Sequence, residues 1–189
     1  MTRPAAVVLA AGASTRMGRP KALLLHHGRP FVRCAVDLAA GCAPVVVVSG
    51  AVDLAHLDLG AVLHVHNATW PQGQLSSLQR GLAALAEPSG LLVLTVDRPH
   101  VRPDTVAALL AAFAGDPTSI WQPVHAGRRG HPIVYPAALL PGLRALPPDA
   151  SPRDLLDRHA DLRRGLAVDD PAVLDNLDRP ADLTRLSTA

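Results

Sequence analysis

The residues best suited to chemistry gather in one short stretch near the start of the chain. From Gly12 to Lys21 the sequence reads Gly-Ala-Ser-Thr-Arg-Met-Gly-Arg-Pro-Lys. Gly12 and Gly18 let the main chain turn sharply and come close to a ligand. The backbone N–H groups between them can converge on phosphate oxygens as an anion-binding nest. Arg16 offers a planar fork for phosphate and Lys21 a mobile point charge. Far downstream, Asp97 follows the apolar run Leu-Leu-Val-Leu-Thr-Val. A carboxylate at such a strand end projects into the crevice that holds the first loop, where Mg²⁺ would take oxygen ligands from protein, phosphate and water. An Asp before Arg-Pro also makes an ordinary turn, so Asp97 taken alone leaves both readings open.

Spacing excludes the two familiar phosphate loops. A dinucleotide fingerprint, Gly-x-Gly-x-x-Gly, fails because position 14 is Ser14. A Walker A loop fails because Met17 stands where its second glycine belongs. His64 and His66 share a strand face, but no third ligand accompanies them at a zinc spacing, so a half-exposed strand face is the expectation. Cys34 and Cys42 fit no zinc or Cys-x-x-Cys spacing and read as small apolar residues around a helix.

These groups need a scaffold, and the hydrophobic pattern supplies one. Short apolar runs at 5–10, 45–50, 61–66 and 91–96 read as buried strands. Weaker strands are expected at 119–124, 131–135 and 166–168. Helices are expected at 30–40, with Pro30 in the first turn and Gly41 past the end, and at 73–86, starting at Gly73 or Ser76. Others are expected at 103–113, 136–146 and 151–159, and from Pro180 to the terminus. Strands alternating with helices imply an α/β fold, a three-layer Rossmann-like α/β/α sandwich around a mainly parallel, mixed sheet. Ligands of such sheets bind at the strands' carboxyl ends.

The 189 residues suggest one domain, 1–189, with Pro147-Pro148 as a loop inside it. A formal charge of +2 does not suggest a nucleic-acid binder. The apolar stretch 5–11 is too short to span a bilayer and lacks the flanks of a signal peptide, so the expectation is a cytoplasmic protein without membrane contact.

The segment 9–24 resembles the signature of the nucleotide-diphospho-sugar transferase superfamily. It is most similar to the MobA-like NTP transferases, the molybdenum-cofactor cytidylyltransferases and guanylyltransferases. Leu-Ala-Ala-Gly, Arg-Met-Gly and Pro-Lys fall in register, and the resemblance implies nucleotide contacts from Leu9, Ala10, Ala11, Gly12, Ser14, Arg16, Met17, Gly18 and Lys21. Residues 67–82 resemble the family's second block. They imply further nucleotide contacts from Asn67, Gly73 and Ser77, with Trp70 packing beside the site. Taken alone, that stretch equally fits an N-capped helix with a core tryptophan. Asp97-Arg98-Pro99 matches the family's Asp-x-Pro, a metal-ligand motif. Near the end, Asp178 aligns with the second acid of the closing Asp-x-Asp pattern, while Asn176 stands in place of the first. Asp178 therefore becomes the second candidate metal ligand. Gly130, His131 and Pro132 match a segment that lies toward the acceptor. Around Asp149 and Arg153 both glycines of the family block are missing, so no role is assigned there.

The resemblance implies transfer of CMP from CTP to the phosphate of molybdopterin, with Mg²⁺ as cofactor and Arg16, Lys21 and Asp97 as catalytic residues. The product would pass to a molybdenum hydroxylase. CTP is favoured because Ala11 stands where guanylyltransferases tend to carry Gly. GTP use, a sugar phosphate or other small phosphate as acceptor, and a non-catalytic cofactor chaperone are the alternatives.

Overall fold

The structure, a computed structural model, describes residues 3–187; the ends of the expected 1–189 unit lie outside the described residues. Its strands are β1 (Ala5–Leu9), β2 (Leu25–His26), β3 (Arg29–Pro30), β4 (Val45–Ser49), β5 (Leu63–His66), β6 (Gly90–Thr95), β7 (Ile120–His125), β8 (Arg128–Arg129), β9 (Ile133–Pro136) and β10 (Arg163–Ala167). The helices are α1 (Phe31–Leu38), α2 (Gln74–Ala83), α3 (Pro103–Gly115), α4 (Leu140–Ala145) and α5 (Pro152–Arg158).

The main sheet runs β10-β7-β9-β6-β1-β4-β5, with β8 paired to β7; β2 and β3 form a separate hairpin. Within the main sheet, pairings are parallel except where β9 meets β6 and β7, and where β8 meets β7. The mixed, mainly parallel α/β sandwich is therefore as expected. The direction of β9 was not legible, because residues alternate across a sheet whichever way a strand runs.

Each buried strand feeds two cores. In β1 the side chains of Ala6 and Val8 enter one core, with Val32 and Val36 of α1 and Val106 and Leu109 of α3. Ala5, Val7 and Leu9 enter the other, with Leu78 and Leu82 of α2 and Leu143 of α4. A fully buried leucine such as Leu82 contributes about 2–3 kcal/mol by removal from water. α2 lies so close to the sheet that a Cβ at Gly81 would sit 2.8 Å from Val7 Cγ1 and 3.0 Å from Val48 Cγ2. This close approach fixes the helix whose start borders the site.

Several boundaries differ from expectation. The 136–146 helix is a 3-10 turn, Ala137–Leu139, followed by α4, and the segment after Pro180 is a 3-10 helix, Pro180–Ser187. β10 begins at Arg163, ahead of the apolar residues that marked it, because an edge strand can extend through exposed polar positions. The β2–β3 hairpin, two residues a side, is too short for alternation to reveal.

Candidate active site

β1 lies between β4 and β6, so successive connections leave it in opposite directions and open a crevice at the strands' carboxyl ends. The exits of β1 and β4 are tied together: Ala10 N donates to Val48 O at 3.0 Å and Ala51 N donates to Ala11 O at 2.9 Å. Beyond Gly12 the loop bends through Ser14, which has a φ of 57°, and Gly18, at 73°. Lys21 N donates to Ser14 Oγ at 3.0 Å and closes the loop. Met17, 3 % exposed, anchors it in the core shared with α1.

The opposite side of the loop meets the end of the chain. Lys21 Nζ lies 2.7 Å from Asp178 Oδ1, and Arg16 Nη2 lies 2.9 Å from Asp178 Oδ2. The hydrogen bond from Lys21, aided by the charges of Lys21 and Arg16, holds the Asp178 carboxyl below the usual carboxylate range against an opposing burial effect. Asp97 is joined to the same terminal segment, since Leu177 N donates to Asp97 O at 3.1 Å. Asp97 Oδ1 accepts from Thr95 Oγ1 at 2.5 Å and from Arg98 Nη1 at 2.9 Å, and Arg98 Nη2 donates to Asn176 Oδ1. The loop after β6 and residues 176–178 are thereby joined.

A cavity of about 350 Å³ fills the crevice. Leu9, Ala10, Ala11, Gly12, Ser14 and Lys21 form one wall, Trp70, Gly73 and Ser77 the second, and Asp97 the third. Arg16, Lys21 and Asp178 border an adjoining recess at Gly12 and Ser14. Gly73 has φ 109° and ψ −175°, a conformation that favours glycine, and it lets the chain turn into α2. Asn67 shapes that turn from within. Its Nδ2 donates to Ser76 Oγ at 2.8 Å and Ser77 Oγ at 3.0 Å, and its Oδ1 accepts from Thr69 N and Oγ1.

The structure thus places Lys21 and Asp97 in one cavity, and Arg16, Lys21 and Asp178 at the recess adjoining it. Three expected contact residues line neither. Met17 points into the core, Asn67 is 2 % exposed and buttresses α2, and Gly18 serves the loop's turn. Gly130 and His131 line a second cavity, which shares Gln74 with the first, and Pro132 lies in a crevice behind it. His64 and His66 are exposed on β5, at the edge of the sheet. Thr95, Arg98, Gln74 and Ala22 were not singled out from the sequence, and only their neighbourhood to Asp97, Gly73 and Lys21 marked them.

The donor set is compatible with a divalent metal ion held partly by protein and partly by substrate. Among the described residues no three His, Cys, Asp or Glu side chains gather as a protein-only metal cage. The carboxylates of Asp97 and Asp178, on segments tied by the Leu177 N to Asp97 O hydrogen bond, are the side chains available for such an ion.

Comparison with known proteins places the chain in a family. The description "MobA-like NTP transferase domain" matches residues 6–162. The chain is 38 % identical over 150 residues to nicotine blue oxidoreductase of Paenarthrobacter nicotinovorans, covering 72 % of each chain. It is 31 % identical over 192 residues to a probable molybdenum cofactor guanylyltransferase of Deinococcus radiodurans, covering 96 % of this chain and 93 % of that one. Rv0371c from Mycobacterium tuberculosis H37Rv superposes with a TM-score of 0.81 at 29 % identity over the whole of both chains. A manganese complex of that protein superposes with a TM-score of 0.75 at 27 % identity, covering 100 % of this chain and 99 % of that one.

Proposed function

The chain belongs to the MobA-like NTP transferase family, and from that premise we propose that it transfers a nucleotide from a nucleoside triphosphate to the phosphate of a molybdopterin-type acceptor. The observation that supports this reading is that Lys21, paired with Asp178 beside Arg16, also lines the cavity that Asp97 borders.

An oxygen of the acceptor phosphate attacks the α-phosphorus in line. The bond from that phosphorus to the bridging oxygen breaks and pyrophosphate departs with the electron pair. Such chemistry depends on positioning and charge neutralisation. Arg16 neutralises the β/γ oxygens and Lys21 the α-phosphate or the acceptor phosphate. Triphosphate oxygens replace Asp178 as partners of the two cations, freeing its carboxylate. Asp97 and Asp178 would hold Mg²⁺, which supplies further charge neutralisation. No general base is required, because a phosphate monoester with a second pKa of about 6 is already an anionic nucleophile at neutral pH.

CTP is the proposed donor. Ala11 lines the cavity wall, at a position where the cytidylyltransferases that the loop resembles carry alanine and the guanylyltransferases tend to carry glycine. The Deinococcus relative is named for GTP chemistry, so turnover with the two nucleotides must be compared directly. Faster pyrophosphate release with CTP supports this reading, and equal or faster release with GTP overturns it.

Pyrophosphate release from nucleotide, Mg²⁺ and molybdopterin tests the reaction itself. Release with sugar phosphates alone would move the acceptor to that class, and release with none would leave a cofactor chaperone. A change in the oxidation state of nicotine blue without pyrophosphate release would favour the redox chemistry in the Paenarthrobacter relative's name.

A further inference from the structure

Gln74 lines both the first cavity and a second one of about 360 Å³. Three arginines, Arg129 on β8, Arg153 on α5 and Arg163 on β10, contribute to the second cavity's wall, and no carboxylate does. The charge is not shared by its histidine: burial, with the Arg98 charge nearby, lowers His131 to about 4 and keeps it neutral. Burial also pushes the Tyr135 hydroxyl upward, so it stays protonated.

Of the three guanidiniums, Arg163 is the most firmly placed. Its Nε and Nη2 both donate to Gln122 Oε1, at 3.2 and 3.0 Å. Gln122 is 4 % exposed. The Arg163 side chain is 20 % exposed, and its remaining partner, Asp157, lies 3.3 Å from Nη1 and is 58 % exposed. A half-exposed ion pair of this kind is weak, so a ligand can take Asp157's place without leaving a buried charge unpaired. A fixed planar fork recognises two adjacent acceptor atoms in one plane.

We infer that this second cavity receives the end of the acceptor remote from its reacting phosphate, and that Arg163, oriented by Gln122, selects for it. The chemistry selected is a planar pair of hydrogen-bond acceptors, either a carboxylate or the oxo-imine edge of a heterocycle. The identification of the ligand as the acceptor rests on the nucleotidyl transfer proposed above. The attacking phosphate must reach the first cavity, so the rest of the acceptor lies across Gln74. Arg163 acts in binding and specificity, not in the chemical step.

The test is calorimetric binding of pterin-6-carboxylate and 6-hydroxymethylpterin to the full chain saturated with CTP and Mg²⁺. Wild type should bind while the nucleotide remains bound. Arg163→Met should weaken binding about tenfold or more, as expected for loss of a charge-assisted hydrogen-bond pair, and leave CTP binding unchanged. Arg163→Lys, which keeps the charge and loses the fork, should fall between them. Equal dependence on Arg163 for both probes assigns the heterocycle edge, and dependence for the carboxylate alone assigns the anion.

In turnover, Arg163→Met should raise the acceptor KM about tenfold with the nucleotide KM unchanged. Competition of the pterins with CTP, no binding by wild type, or binding within about twofold of wild type in variants that still bind CTP would overturn the inference. The two readings fail separately. Arg163-dependent pterin binding without pyrophosphate release removes only the transfer reaction, and pyrophosphate release with an unchanged acceptor KM in Arg163→Met removes only the cavity assignment.

Discussion

Lys21 Nζ stands 2.7 Å from Asp178 Oδ1, a contact between residues 157 positions apart. Arg16 holds the carboxylate's other oxygen. An acid of the terminal segment therefore pairs with the two cations that the proposed function assigns to the triphosphate.

Lys21→Ala should reduce the single-turnover rate about 10²-fold, the scale found when one donor to a developing charge is removed. Nucleotide affinity should change much less, since Arg16 and the loop backbone remain. Rapid-quench kinetics beside nucleotide titration measure both. An unchanged single-turnover rate would remove Lys21 from the chemistry.

Asp97→Ala should abolish turnover in Mg²⁺ and retain a cooperative unfolding transition. Arg98 keeps Thr95 and Asn176 as acceptors, so the stability loss should be about 1–3 kcal/mol, the cost of one broken partner. Near-normal turnover would refute the ligand role.

His131 gives a pH signature. Its ordinary pKa of 6.5 falls to about 4, first through burial and then through Arg98. Between those values the unfolded chain binds more protons than the folded one, so stability rises with pH across the window and is lost as pH falls toward 4. The contribution is of the order of 3 kcal/mol. Urea unfolding from pH 7 to 4 should show a shallower pH slope for His131→Asn than for wild type. Identical slopes would show that His131 is not the group responsible.

Gly81→Ala should cost about 1–3 kcal/mol despite alanine's better helix propensity. The added methyl meets Val7 and Val48, whose branched side chains have little freedom to move. Because α2 carries Ser77, and Gly73 lies at its start, nucleotide affinity should fall with stability. A stabilised variant with normal affinity would show that the helix can lift without disturbing the cavity.

Much of this architecture was legible beforehand. Uninterrupted apolar runs marked β1, β4 and β6, because strands covered on both faces must be apolar at every position. The loop after β1 stood out by residue type and spacing, and Asp97 by its place at a strand end. Less legible were Met17 and Asn67. Family register marks a position without saying whether its side chain faces ligand, core or a neighbouring turn.

By itself the sequence determined the layers, the loop after β1 and the types of charge available for phosphate chemistry. These follow from periodicity and backbone preference within a few consecutive residues. Tertiary structure alone decided that Asp178 meets Lys21 and Arg16, that Arg98 bridges Asp97 to Asn176, and that Arg163 is fixed by Gln122 in a second cavity. Such contacts depend on strand order, on the reversed β9 and on the path of the terminal segment. No local pattern encodes them, because they form only when distant parts of the chain pack on the same sheet.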